Sequence, residues 1–414
     1  MRKKRILITG LGIVSAIGTG KEEFWHNLFA GRSGMRPITI FDTSNIKVKS
    51  GCQVHNFDPH KILNEKRLID MDRATLLLLS ATQLCLDNGE FRIDEFNTHS
   101  TGVVVGTTFG SLHSVSKYNR ESLSEGPRFA NPSIFPSTVG NSAASRVSIR
   151  FKIKGFCTTI ATGMSAGLDA LDYARDFISL DKAQTVIVGA VEDLSMQMFL
   201  GFYKLKYLSG FRGHSQPLSC PFDKRRDGIV LGEGATVFVL QDEKTALESD
   251  AFIYGEILGI GSSFDPARYY KYNPQGEGMK KAMTAALEDA SLKPQDIDCI
   301  FANANSTTDA DEIEARAIKK VFGDHAAHVP VTSVKSMVGE TFSNSGSVSL
   351  AAALGTLNKG LIPPTINYLQ KDDECDLDCV VMNAKEKNVS RVMVNAFGPN
   401  GMNTSLIIGR CENV

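Results

Sequence analysis

The strongest constraint on this chain is a rhythm of short, β-branched apolar runs alternating with longer amphipathic stretches, met twice along its length. Strand-like runs fall at residues 5–9, 102–105, 185–188 and 235–240, then again at 254–260, 299–302, 329–333, 391–395 and 405–409. Helix-period segments lie between them, at 74–88, 167–179, 278–290 and 311–321. Strands alternating with helices predict α/β layers joined by crossover connections. The repetition predicts an internal duplication, residues 1–250 and 251–414, packed as one unit.

Composition narrows function only by exclusion. With 45 Lys+Arg against 46 Asp+Glu, net charge −1, no electrostatic case exists for nucleic acid or an anionic membrane surface. No run of 18 apolar residues is present, so no membrane span is expected. The eight cysteines are dispersed without a CxxC pair, and Cys375 and Cys379 have no histidine nearby to complete a metal site. Scattered reduced thiols predict a cytoplasmic protein without a metal. Gly10-Leu11-Gly12-Ile13-Val14-Ser15 follows the first strand but lacks the third glycine of a dinucleotide fingerprint. It is read as a tight strand-to-helix turn, and no cofactor is expected.

Four segments crowd Gly, Ser, Thr and Asn directly after apolar strands. Ile160-Ala161-Thr162-Gly163-Met164-Ser165-Ala166-Gly167 forms a strand–elbow–helix. Its elbow sits at a helix N-terminus, where a thiolate or oxyanion would be stabilised. The others are 301–308, with Asn303-Ala304-Asn305-Ser306-Thr307, 333–340, with Lys335-Ser336 and Glu340, and 395–403, with Phe397-Gly398-Pro399.

Together these resemble the β-ketoacyl-acyl carrier protein synthases, condensing enzymes of the thiolase superfamily. Ile8-Thr9-Gly10-Leu11-Gly12-Ile13-Val14-Ser15 is similar to the family's opening VTGxGxVS, and Pro363-Pro364-Thr365-Ile366-Asn367 to its PPTIN. The stretch from Pro221-Phe222-Asp223 through Arg226-Asp227-Gly228 to Gly232-Glu233-Gly234 resembles P(W/F)DxxRDGFVxGEG. The resemblance implies an α/β fold, a duplicated five-layer αβαβα sandwich built as a dimer.

It also implies where the chemistry should be, and there the chain departs from the family. The nucleophilic cysteine of T-A-C-(S/T)-(S/T)-G is Met164, a thioether that cannot form an acyl thioester. The histidine of NAHGT is Asn305, and that of KSxxGH is Glu340, while Lys335 is retained. Pro399 replaces the second aromatic of NSFGFGGTN and has no N–H for an oxyanion hole. All eight histidines, His26, His55, His60, His99, His113, His214, His325 and His328, lie outside these motifs. Met164 is read as a plug, Asn305 as a turn-stabilising amide and Glu340 as the buried ion-pair partner of Lys335. Cys157, seven residues upstream, and Ser165, one residue past the elbow, are candidate replacement nucleophiles, and neither has a histidine in motif range.

A condensing-enzyme frame without its nucleophile resembles the chain length factors, the ketosynthase beta subunits of type II polyketide synthases. That resemblance implies a heterodimer with an active ketosynthase alpha subunit, an acyl carrier protein partner and a growing polyketide chain in a shared tunnel. Many aromatic-polyketide factors carry Gln at the nucleophile slot, so aromatic and polyene systems both stay open. By the same frame Phe109, Leu112 and Ser116, spaced i, i+3, i+7, would line the tunnel as a chain-length gate, or be ordinary core. Ile134 and Phe135, in a Pro-bracketed segment, would reach across the dimer interface. Two rivals remain: an enzyme of altered chemistry using Glu340 as base, and a homodimeric acyl-binding scaffold.

Overall fold

The computed structural model describes residues 4–411 apart from 67, 69, 70, 90, 212–215 and 267–269. His214 lies outside the described residues. Ten strands form one continuous run: β1 (Ile6–Ser15), β2 (Thr101–Gly106), β3 (Cys157–Ile160), β4 (Thr185–Glu192), β5 (Gly234–Asp242), β6 (Gly255–Phe264), β7 (Cys299–Phe301), β8 (Val331–Thr332), β9 (Arg391–Phe397) and β10 (Met402–Gly409). Their order is β8-β7-β9-β10-β6-β1-β5-β4-β2-β3.

Reading outward from the β1–β6 junction, both sides run through the first, fifth, fourth, second and third strand of their own series. The pairing sense is the same on both sides. β2 is parallel to β3 and β4, with β4–β5 and β5–β1 antiparallel; β7 is parallel to β8 and β9, with β9–β10 and β10–β6 antiparallel. Antiparallel pairing of Ile6 with Ile257, Leu7 with Glu256 and Ile8 with Gly255 joins the two series. β2, β4 and most of β5 are buried along their length, which is why their sequence reads as continuous apolar runs rather than alternation.

The six longest helices among the described residues are α1 (Arg73–Asn88), α2 (Leu112–Ser124), α3 (Ala166–Ser179), α4 (Glu277–Ala290), α5 (Thr308–Phe322) and α6 (Ser343–Lys359). Leu77 and Leu78 of α1 cover one outer face, packing with Val103 and Ile187. Met279 and Met283 of α4 and Ile313 and Ile318 of α5 cover the other, with Ile300 and Met393. Between the two halves of the run, Leu168 and Leu171 of α3 and Leu350 and Leu354 of α6 share one core with Val104 and Val188 on one side and Val394 and Leu406 on the other. The fold is a thiolase-like αβαβα sandwich.

The structure corrects the turn expected at Gly10–Ser15. β1 continues through Ser15, with a register shift between Ile8 and Gly10. The glycines are there because α1 packs against the strand. A Cβ at Gly12 would lie 2.0 Å from the Ala81 carbonyl oxygen and 2.4 Å from the Cys85 nitrogen.

Candidate functional site

The residues of the degenerate slots arrive at the middle of the sandwich from four different elements. Met164 lies in the single 3-10 turn Gly163–Ser165 between β3 and α3. Gly163 takes φ +83°, which turns the chain sharply into the helix. Met164 is buried among Leu194, Met198 and Phe342, and its Sδ is 4.0 Å from the hydroxyl of buried Tyr272. The space beside the elbow is therefore occupied by side chains of this protein.

Asn305, Glu340 and Lys335 meet in one buried network. The Lys335 ammonium is 2.9 Å from Glu340 Oε2 and donates to Asn303 Oδ1, also at 2.9 Å. Asn305 Nδ2 donates to the same Glu340 oxygen at 3.0 Å, while its Oδ1 accepts from the Thr307 hydroxyl at 2.8 Å. Glu340 Oε1 accepts from the Phe342 backbone N–H at 2.9 Å and the Ser345 hydroxyl at 2.5 Å. The carboxylate thus receives four donors, and both charges of the pair are 99% or more buried by side chain. A carboxylate so engaged is an anchor for its donors rather than a free base.

One of those donors carries structural consequence. Phe342 sits at φ +48°, a conformation strained for an aromatic residue, and the Glu340 carboxylate holds its N–H there. The ring then packs edge-on against Phe109 at 5.0 Å and stacks on Phe202 at 5.1 Å. Phe109 itself precedes α2, so the helical i, i+3, i+7 face expected for Phe109, Leu112 and Ser116 holds only for the last two. Thr107, Thr108 and Phe109 are fixed because their hydroxyl or N–H groups donate to the buried carboxyl of Glu192. Leu112 joins Phe109 in the cluster around Met164, and Ser116 is half-buried on α2.

Around the oxyanion slot, Pro399 is half-buried and Asn400 folds back so that its Nδ2 donates to the Thr162 carbonyl at 3.0 Å. Ser165 donates to the Asp169 carboxylate at 2.8 Å, which also receives the Thr162 and Thr404 hydroxyls. Cys157 is exposed at the start of β3, the outermost strand of the run. Ile134 turns inward and is buried in its own chain, whereas Phe135 is 57% exposed. Among the described residues no group of three or more His, Cys, Asp or Glu is placed to hold a metal ion.

Two buried carboxyls were not legible as site residues. Asp311 accepts the N–H groups of Asn305, Ser306 and Phe222, fixing the loop that carries Asn305. Burial pushes its carboxyl up to about 6. Glu314 accepts from the Asn303 N–H and Asn395 Nδ2 on Oε1, leaving Oε2 buried with no partner among the described residues. Burial pushes Glu314 up to about 7. Both lie on α5 one turn apart, facing the loop, a spacing that only the β7 loop's position makes meaningful. Tyr272 was also missed, since a lone tyrosine in a loop gives no motif signal.

The N-terminal domain model of the β-ketoacyl synthase family matches residues 3–246, and its C-terminal domain model matches 254–369. The chain belongs to the β-ketoacyl synthase family. It is 36% identical to a 3-oxoacyl-[acyl-carrier-protein] synthase 2 of Coxiella burnetii, with 99% of each chain covered. It is 34% identical to the protein of that name from Synechocystis, with 98% of each covered. Among solved structures, the ishigamide ketosynthase/chain length factor superposes with a TM-score of 0.92 at 31% identity, covering 99% of this chain and 100% of that one. A type II polyketide synthase acyl-carrier protein in complex with its ketosynthase, bound to the hexaketide, gives 0.91 at 26% identity with the same coverage.

Proposed function

We propose that this protein is a non-catalytic ketosynthase-like subunit, a chain length factor that dimerises with an active ketosynthase. The pair would extend an acyl chain on acyl carrier protein by decarboxylative condensation with malonyl units. The observation that carries this reading is the filled site: Met164 stands at the nucleophile position, and Lys335, Glu340 and Asn305 satisfy one another where two histidines would act. The carrier comes from the names of the relatives, the malonyl chemistry from the family resemblance of the motifs, and the non-catalytic part of the reading from the residues of this chain. Glu340 as a base in altered chemistry is disfavoured, because four donors occupy its oxygens.

A dimer surface is available in physical terms. β3 ends the run of strands with one edge unpaired among the described residues, and such an edge invites a strand from a second chain. Exposed Phe129, Phe135 and Val139 add apolar area in the segment that follows α2. No helix among the described residues is long and apolar enough to cross a membrane; a cytoplasmic location belongs with this proposal. Native mass spectrometry of the chain, alone and co-expressed with a ketosynthase encoded beside it, is the test. A one-to-one heterodimer is expected. A homodimer indifferent to the ketosynthase overturns the subunit reading and favours an acyl-binding scaffold.

A further inference from the structure

Glu192 ends β4, is buried, and belongs to none of the motifs that mark the reactive slots. No cation pairs with its carboxyl among the described residues, so neutral donors hold it. Oε1 accepts from the Thr107 hydroxyl at 2.9 Å and from the Thr108 N–H, and the Phe109 N–H lies 3.3 Å from both oxygens. The Ser343 hydroxyl, at the start of α6, is 2.9 Å from Oε1 and 3.1 Å from the Val191 carbonyl oxygen. One buried carboxyl therefore joins two segments that are far apart in the chain.

The turn carries the connection on to a third segment. The Thr108 hydroxyl donates to the Gly163 carbonyl at 3.0 Å, the same oxygen that accepts the Ala166 N–H at the start of α3. Each of the three segments places one of the side chains that fill the site: Phe109 follows Thr108, Met164 follows Gly163, and Phe342 precedes Ser343. The three share one core cluster, with the Phe109 ring edge-on to Phe342 at 5.0 Å. Phe109 and Phe342 both lie just outside helices, where no helical hydrogen bond fixes their N–H groups. Glu192 takes the first N–H and Glu340 the second.

We infer that Glu192 is a positioning residue: it ties the Phe109 turn to the elbow and to the start of α6, so that Phe109, Met164 and Phe342 close the site as one unit. The tie is a property of the single chain; that it sets a chain-length gate rests on the subunit reading.

The test is hydrogen–deuterium exchange of the full-length chain, read by mass spectrometry over residues 107–110 and 163–166. Glu192→Leu keeps the bulk and removes the acceptor. It should speed exchange about tenfold in both segments, the worth of one such hydrogen bond, while α4 on the far face exchanges as in the parent. Glu192→Gln keeps an acceptor oxygen for the N–H groups and should restore the protection. Thr108→Val keeps the N–H donors and removes only the link to Gly163, so exchange should quicken at 163–166 alone. A loss confined to 107–110 in Glu192→Leu, or an elbow indifferent to Thr108→Val, overturns the tie; should Glu192→Leu fail to fold, Thr108→Val decides. With Phe109 replaced by 4-fluorophenylalanine, the fluorine resonance should move in Glu192→Leu and return in Glu192→Gln, and a resonance unmoved by Glu192→Leu overturns the positioning role. Native mass spectra of the same samples separate the two readings. A heterodimer whose elbow ignores Glu192 removes the tie and leaves the subunit role, whereas a tie in a chain that only homodimerises does the reverse.

Discussion

Replacing Lys335 by Met strands the Glu340 carboxylate in the middle of the sandwich, and the consequence can be worked out. At 2.9 Å the pair attracts by about 6 kcal/mol for an effective dielectric near 20. Much of that offsets the cost of taking both ions out of water. Removing one partner forfeits the attraction and leaves the desolvated charge, so a loss of about 3–5 kcal/mol is expected for Lys335→Met and similarly for Glu340→Gln. With an unfolding entropy of about 2.1 cal/mol/K per residue over 414 residues, each variant should melt about 3–6 °C lower. The double variant keeps the shapes and removes both charges, and should lie within about 2 kcal/mol of the parent. The assay is a double-mutant cycle on Tm by circular dichroism. A double variant as unstable as the sum of the singles would refute the pairing argument, since coupled charges cannot give additive losses.

Met164→Cys alone should give no condensation with malonyl and acyl carrier protein, because both histidine slots and one oxyanion donor stay absent; measurable malonyl turnover by that variant sinks the non-catalytic reading. Phe109→Ala removes the edge-on contacts with Phe342 and Phe202, each worth about 0.5–1.5 kcal/mol beyond its buried area. In the reconstituted pair it should lengthen the product, and an unchanged product distribution on mass spectrometry takes Phe109 out of the gate. Glu314, with a folded value of about 7 against 4.5 for the unfolded chain, contributes stability fully below pH 4.5 and loses it as the pH rises through 7. Glu314→Gln should flatten that part of the Tm–pH curve, by up to about 1.4 kcal/mol per pH unit; a curve parallel to the parent's counts against a proton on Glu314.

The layered fold was legible where periodicity and burial agree. Residues 74–88, 167–179 and 278–290 each fall within one residue of a helix boundary, since each turns one apolar face to a sheet. α6 was not singled out, because residues 343–357 are buried all round and carry no amphipathic period. β1 ran past its expected end because Gly10 and Gly12 read as turn residues, when their service is to let α1 approach. The slots at Met164, Asn305, Glu340 and Pro399 could be placed by frame, but their mutual contacts could not, since they come from loops separated by up to 235 residues. Nor could sequence show that Phe109 stands before α2 and leans on Phe342.

What the chain keeps, set beside what it has replaced, argues for a structural role. In the stretch that resembles the family's PFDxxRDG…GEG, the charged residues hold backbone. Asp223 takes the N–H groups of Arg225, Leu369 and Gln370; Glu233 takes those of Val54 and Leu194 and binds Arg73. Arg226 ties the same loop to Asp372. Leaving any one of them unsatisfied in a buried setting would cost about 1–5 kcal/mol, so their loss would destabilise the frame. The replaced residues are those whose family role is to react with substrate, and their substitutes pack or pair with one another instead of facing an open site. Met164 beside Tyr272 and Glu340 beneath Lys335 and Asn305 are stable because they fill and neutralise that site. On the proposed reading, a chain that keeps these buried anchors while filling its reactive slots would offer a partner shape and surface.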